Sequence, residues 1–318
     1  MNRPVSEAGA TFTPGLVAAT EAAALACARG LGRGDADRVR EAAATAMLEA
    51  LQDLGVAGSV ALGPREDRVL ARGSVVGLGR PASCDLAAYP VEGANVVARG
   101  LPGAIAFVLA VEQGAFPELP NVSYMDKVIA GPEARGAIDL DDPLGDNLRR
   151  LAFARNVRVS DLTVAVLDRP RHQELMQEIR SIGARLLVLD EGELAGSLLA
   201  ASGSGGVDAM AGVGGLQETI MEACAARCMG AELRARLWPR NDEERELAAG
   251  QLDKQFAVED LAPRTIEVAV TGVTGGLLLK GVWYGAPWSE TESLSLSTST
   301  MTVRRVATRH LNGVPTDE

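Results

Sequence analysis

Apolar and polar positions along the chain fall into stretches of different period. Residues 15–30 are rich in Ala and Leu with small residues throughout. That predicts a closely packed helix ending in the loop Gly30-Leu31-Gly32-Arg33-Gly34-Asp35. A second helix is predicted over residues 36–54, where Val39, Ala43, Met47 and Leu51 line one side and Gly55 stops it. Between residues 57 and 112 the pattern changes to short apolar runs split by Gly and Pro: SVALG, VLARGSVVG, CDLAAYPVEG and GAIAFVLAV. These predict strands of a mixed sheet. A Pro-rich connection follows from Phe116 to Pro120.

Residues 160–230 alternate between the two periods. LTVAVLD (162–168), ARLLVLD (184–190) and VDAMAG (207–212) predict strands. HQELMQEIRSIG, LAGSLLA and LQETIMEACAARCMG predict the helices that follow them. A βαβα run of this kind predicts a parallel sheet with ligands at the carboxyl ends of its strands. Residues 265–308 return to β in TIEVAVTG, LLLKGVWYG and STMTVRRVA, and the polar closing residues are expected to fray. The chain therefore reads as two lobes, an α+β lobe over residues 1–158 and an α/β lobe over 159–318.

Composition narrows the function classes. With 318 residues, 47% apolar and 23% charged, the chain can bury a large core, and at 3% aromatic that core is mostly aliphatic. The net charge of −11 repels nucleic-acid phosphates and anionic lipid, so neither is expected as a partner. The opening MNRPVSEAGATFTPG has no apolar core, and the longest apolar run, Leu101 to Val111, is too short to cross a bilayer. A cytoplasmic location is expected. Cys27, Cys84, Cys224 and Cys228 form no CxxC pair, and His172 and His310 are the only histidines. A Cys/His zinc site is poorly supplied, and buried reduced thiols are expected.

Three strand ends carry candidate chemistry. The first ends in Arg169-Pro170-Arg171-His172, where two guanidiniums before a helix suit an anion; the alternative is a solvated basic turn. The second ends in Asp190-Glu191-Gly192-Glu193, able to accept from sugar hydroxyls or simply to cap the next helix. The third ends in Gly212-Val213-Gly214-Gly215, with Glu218 in the following turn. Its glycines permit close backbone approach to an anion or polar ligand. Glu218 is either a metal ligand or an acid that offsets the helix dipole.

Taken in order, GRGD (32–35), YPVEG (89–93), YMDKVIAGP (124–132), DLDDPLGDNLR (139–149), RPRH (169–172), DEGE (190–193) and GVGG with Glu218 resemble the landmarks of the class II fructose-1,6-bisphosphatases over roughly residues 15–310. The resemblance implies the lithium-sensitive sugar-phosphatase fold, a layered α/β/α/β/α sandwich of the fructose-1,6-bisphosphatase and inositol-monophosphatase type. It also implies a phosphorylated sugar as partner and a homo-oligomer, dimer or tetramer. By the same resemblance Glu92, Gly93, Tyr124 and Lys127 hold the sugar phosphate and Arg169 and Arg171 grip the phosphate. Glu191 and Glu193 meet hydroxyls, and His172 and Gly214 complete the substrate-binding set.

The metal-binding positions implied by the resemblance are altered. The family's Asp-Pro-Ile-Glu-Gly-Thr is here Tyr89-Pro90-Val91-Glu92-Gly93-Ala94, and its Gly-Glu-Gly-Glu is Gly63-Pro64-Arg65-Glu66. A helix Asp aligns with Arg40 and a Lys with Ala36. Of the metal carboxylates Glu92 and Glu218 remain. Phosphoester hydrolysis here relies on divalent ions held by hard oxygen ligands. Tyr, Pro and Arg do not replace carboxylates, and a guanidinium beside a cation costs on the order of several kcal/mol. No cofactor is expected, or Mg²⁺ or Mn²⁺ if Asp35, Asp37, Glu66 and Asp85 rebuild a shifted site. Alternatively Arg40 takes the metal's place and meets the phosphate directly. Tyr89 then either moves protons together with Glu92, making Tyr89, Glu92 and Arg40 the catalytic candidates, or fills vacated space.

Three functions compete: an altered or much weakened enzyme acting on a hexose (bis)phosphate, an active metal-dependent sugar bisphosphatase with a rearranged site, and a non-catalytic sugar-phosphate-binding pseudoenzyme subunit.

Overall fold

A computed structural model describes residues 5–55, 57–64, 68–78, 82–203 and 205–311. Arg65, Glu66 and the closing residues 312–318 lie outside the described residues. The chain forms two compact units, Met1–Ala115 with Thr265–Glu318, and Phe116–Arg264. The boundary expected at 158/159 thus falls inside the second unit.

The first unit opens with helix α1 (Val5–Cys27), a 3-10 turn at Ala28–Gly30 and helix α2 (Ala36–Gln52). The loop between them is a helix–helix turn. Gly32 and Gly34 take φ of 68° and 77°, and Asp35 caps α2 by accepting from the Arg38 N–H at 3.0 Å. Strands β1 (Gly58–Leu62), β2 (Val75–Val76) and β3 (Cys84–Glu92), helix α3 (Ala94–Arg99) and strand β4 (Ile105–Glu112) follow.

The second unit runs β5 (Tyr124–Ala130), α4 (Leu144–Arg155), β6 (Thr163–Leu167), α5 (Gln173–Ile182), β7 (Arg185–Leu189), α6 (Glu193–Ala201), β8 (Ala209–Gly215), α7 (Leu216–Met229), β9 (Glu232–Trp238), α8 (Asp242–Leu247), β10 (Phe256–Ala257) and α9 (Val258–Leu261). The chain then returns to the first unit with β11 (Ile266–Gly272), β12 (Trp283–Tyr284), β13 (Trp288–Ser297) and β14 (Thr302–Leu311).

The first sheet has the order β12-β13-β11-β4-β3-β1-β2, with β14 on the other edge of β13. β11 lies antiparallel on β4, from Ile266 opposite Val111 to Gly272 opposite Ile105. That pairing draws the final strands into the first unit. α1 and α2 cover one face, packing Leu16, Ala23, Val39, Met47 and Leu51 against Leu86, Ala88, Ala106, Val108 and Ala269. Toward β11 and β13 the same helix meets hydroxyls instead. Ser293 and Thr271 are 2.8 Å apart, Thr271 donates to Thr20 at 2.7 Å, and Thr20 donates to the Val17 carbonyl at 2.9 Å. The buried Glu267 carboxylate accepts from Ser297 and Thr13, each at 2.7 Å, and Glu21 accepts from Thr291 at 3.1 Å. Each of these polar groups has a partner, so it can be buried without a large desolvation penalty.

The second sheet has the order β10-β9-β5-β8-β6-β7. β6 is parallel to β7 and β8, as the alternation predicts. β5 is antiparallel to both β8 and β9, so the sheet is mixed rather than parallel throughout. Strand alternation separates its faces. Val128, Ala130, Val164, Val166, Ala209 and Ala211 pack on α4 and α5 through Leu148, Leu151, Met176 and Ile179. The opposite face carries Lys127 and Met210 and meets α6 and α7. Each unit is thus a mixed sheet with helices packed on it, the α/β sandwich class expected. No helix among the described residues is long and apolar enough to cross a membrane.

Candidate functional site

In the second unit the candidate residues gather where β6, β7 and β8 end. Arg169 donates from Nη1 to the carbonyls of Asp168 (2.8 Å) and Asp190 (2.9 Å), tying the ends of β6 and β7 together. Arg171 donates from Nε and Nη2 to the Val213 carbonyl at 3.1 and 2.7 Å, and its guanidinium lies 5.1 Å from the centre of the Tyr124 ring. Nη1 has no partner among the described residues. The guanidinium is therefore fixed by backbone and aromatic face while one edge stays available. Arg240 lies 5.8 Å from the same ring and is held by Glu244, whose Oε1 accepts from its Nε and Nη2 at 2.9 and 2.7 Å. Burial raises the Glu244 pKa, but hydrogen bonds from Arg240 and Ser123 outweigh it and hold it at about 2.

His172 is buried with both ring nitrogens engaged. Nδ1 lies 2.9 Å from the Leu167 carbonyl and Nε2 accepts from the Val213 N–H at 2.9 Å. Donation from one nitrogen and acceptance at the other define a neutral imidazole. Burial lowers its pKa in the same sense. His172 joins the end of β6 to β8 and offers a ligand no spare nitrogen, contrary to its place in the expected substrate-binding set.

Lys127, also expected to hold the ligand, points into the face covered by α6 and α7. Its ammonium contacts Glu193 Oε1, lies 2.5 Å from Glu222 Oε2 and donates to Thr219 Oγ1 at 3.2 Å. Two hydrogen bonds and a second ion pair thus surround the ammonium. Burial lowers its pKa, but Glu193 and Glu222 more than offset that and raise it. Lys127 is a buried cation held by its own chain. Glu193 Oε2 also accepts, at 3.4 Å, from the Gly215 N–H.

The glycines of β8 serve these side chains. Gly212 has φ of 134°, and a Cβ there would lie 2.9 Å from His172 Nε2. A Cβ at Gly214 would land inside the Glu193 carboxylate and 2.7 Å from Lys127 Nζ, and one at Gly215 would strike Glu218. The close approach predicted from the sequence is present, and the chain's own residues make it. Glu191 is half-buried in the turn before α6, and Glu218 is half-buried in the first turn of α7. Glu222, Thr219 and Arg240 were not foreseen. The one sequence signal for Glu222 is its place one turn after Glu218.

In the first unit the expected residues are used locally. Arg40 pairs with Asp37 at 2.5 Å on the solvent side of α2, its side chain 48% exposed. Asp35 caps α2, and Asp85 accepts from the Gly114 N–H at 2.8 Å. Glu92 is buried at the end of β3, after a register irregularity that begins at Tyr89, and Tyr89 is half-buried. Gly93 takes φ of 88° and begins α3. Among the described residues no three His, Cys, Asp or Glu side chains are grouped to hold a metal ion.

The family described as bacterial fructose-1,6-bisphosphatase, glpX-encoded, matches residues 10–310. Fructose-1,6-bisphosphatase 1 class 2 of Escherichia coli is 33% identical over 311 residues, covering 92% of this chain and 92% of that protein. Fructose-1,6-bisphosphatase class 2 of Shigella flexneri shows the same identity and coverage. By its ordered motifs, its sandwich units and these similarities, the chain belongs to the bacterial, glpX-encoded family of class II fructose-1,6-bisphosphatases.

Proposed function

We propose that the protein binds a hexose phosphate or bisphosphate at the strand ends of the second unit and hydrolyses it far more weakly than a metal-replete phosphatase. One observation carries the binding half. Arg171 is fixed on the Val213 carbonyl and the Tyr124 ring with an edge of its guanidinium left over. A preoriented guanidinium is what recognition of a phosphate oxygen needs. Arg169, Tyr124 and Glu191 surround the same strand ends, and the names of the relatives supply the sugar bisphosphate as ligand class.

The weakened half rests on substitution. Arg40, Pro64 and Tyr89 stand at positions where the resemblance implies carboxylates, and the neighbouring carboxylates Asp35, Asp37 and Asp85 already have partners. Loss of a single transition-state contact can cost ~10²–10³ in rate. Family membership favours the second reading, an active Mg²⁺- or Mn²⁺-dependent sugar bisphosphatase with a rearranged metal site.

Phosphate release from fructose 1,6-bisphosphate with Mg²⁺ or Mn²⁺ separates the two. Binding with slow release, lost in Arg171→Ala, supports the first. Rapid release abolished by EDTA overturns it in favour of the second.

A further inference from the structure

Beneath Gly214 two carboxylates share one ammonium. Glu222 is fully buried, Lys127 is 2% exposed, and Glu193 at 14% is the member nearest solvent. Glu222 Oε1 has no hydrogen-bond partner among the described residues, and its Oε2 meets Lys127 outside good hydrogen-bond geometry. Ser197 lies nearby, but its hydroxyl is directed to Met210 Sδ at 3.4 Å. A buried oxygen with no donor aimed at it is a poor place for negative charge.

Among the described residues the charges acting on Glu222 are those of Lys127 and Glu193. β5 presents Lys127, and α6 presents Glu193 and Ser197. Its own helix presents Thr219, with Glu218 one turn back at the surface. The strand register puts the apolar Leu233, Ala235 and Leu237 of β9 on the same side as Lys127. α9 buries Val258 and Leu261 and leaves Glu259 and Asp260 exposed. With both carboxylates ionised the buried group carries one net negative charge, and with one proton it carries none.

We infer that Glu222 is a positioning residue for the candidate site: by taking up or releasing one proton it sets whether Lys127 holds Glu193 back or leaves it to a hydroxyl of the bound sugar phosphate. When Glu222 is neutral, Glu193 is the sole anion for Lys127 and is locked on it. When Glu222 is ionised, Lys127 is shared, and Glu193, the member with access to solvent, can accept from a ligand. Burial pushes the Glu222 pKa up to about 8, so both forms are populated near neutrality. The inference rests on the reading that Glu193 meets ligand hydroxyls.

The test is calorimetric binding of fructose 1,6-bisphosphate to the full chain and to Glu222→Gln between about pH 7 and pH 9, where sugar phosphates are already largely dianionic. Wild-type affinity should rise about tenfold across the range, and the variant should stay weak with less than about twofold change. Parallel profiles for the two proteins overturn the inference. A ligand-free arm follows carboxyl carbon shifts in wild-type protein labelled at glutamate. Two carboxyls moving together with one midpoint above pH 7 support the exchange, and the absence of such a pair overturns it even if the variant does not fold. A coupled pair without any binding of fructose 1,6-bisphosphate sinks the sugar-phosphate reading and leaves the exchange standing.

Discussion

Arg171 and Arg40 are two arginines, one in each unit, both expected to face an anion, and their circumstances differ. Arg171 sits at the end of a parallel strand, where the Val213 carbonyl and the Tyr124 face hold it while an edge remains available. Arg40 lies on the outside of α2, neutralised by Asp37, whose side chain is 95% exposed. Strand ends in the second unit converge backbone groups that orient a side chain without cancelling its charge. A helix surface supplies only an i,i+3 partner of opposite sign. The difference teaches that a residue's chemistry in this fold is decided by what anchors it, more than by what it is.

The anchors differ in strength, and Lys127 has the strongest. Lys127→Met leaves Glu193 and Glu222 without a counter-charge and should lower unfolding free energy by ~3–5 kcal/mol in urea titrations. A loss below about 1 kcal/mol would mean that the cluster is not an ionic unit. Arg171→Ala should weaken fructose 1,6-bisphosphate binding by ~1.5–3 kcal/mol, roughly ten- to a hundredfold, with stability changed by under about 1 kcal/mol. Equal affinity for variant and wild type would remove Arg171 from the site.

Glu222 adds a pH signature. Its folded pKa of about 8 is above the ordinary 4.5, so the native state keeps a proton that the unfolded chain gives up. The contribution is complete below pH 4.5 and lost as pH rises through about 8. Melting temperature against pH for wild type minus Glu222→Gln should show that decline, and a flat difference would contradict it. Last, Arg40→Ala should change stability by less than ~0.5 kcal/mol, because an exposed helix pair contributes little. A larger loss would show that Arg40 has a partner beyond Asp37.

The alternating stretch over residues 160–230 was legible because each strand there is apolar and each helix follows at once. β5 and β9 were not, since Lys127, Arg234 and Arg236 interrupt their apolar pattern. β13 was hidden more thoroughly. Its buried inner residues are Ser289, Thr291, Ser293, Ser295 and Ser297, so alternation of hydrophobicity is absent where alternation of burial is present. LLLKGVWYG and VLARGSVVG promised full strands and yield Trp283–Tyr284 and Val75–Val76. At the site, residue types gave Arg169, Arg171 and the glycines. The commitments of Lys127 and His172 to their own chain depend on which face of the sheet each occupies, and a linear pattern read before the antiparallel strands are known does not contain that.

The hydroxyl seam under α1 has a consequence for biosynthesis. Thr20 meets Thr271 across 251 residues of sequence, and Glu21 meets Thr291 across 270. A chain emerging from the ribosome makes α1 long before these partners. The second unit is continuous in sequence and can close on itself as soon as it is synthesised, whereas the first must wait, with its earliest helix exposed, until β11 and β13 arrive.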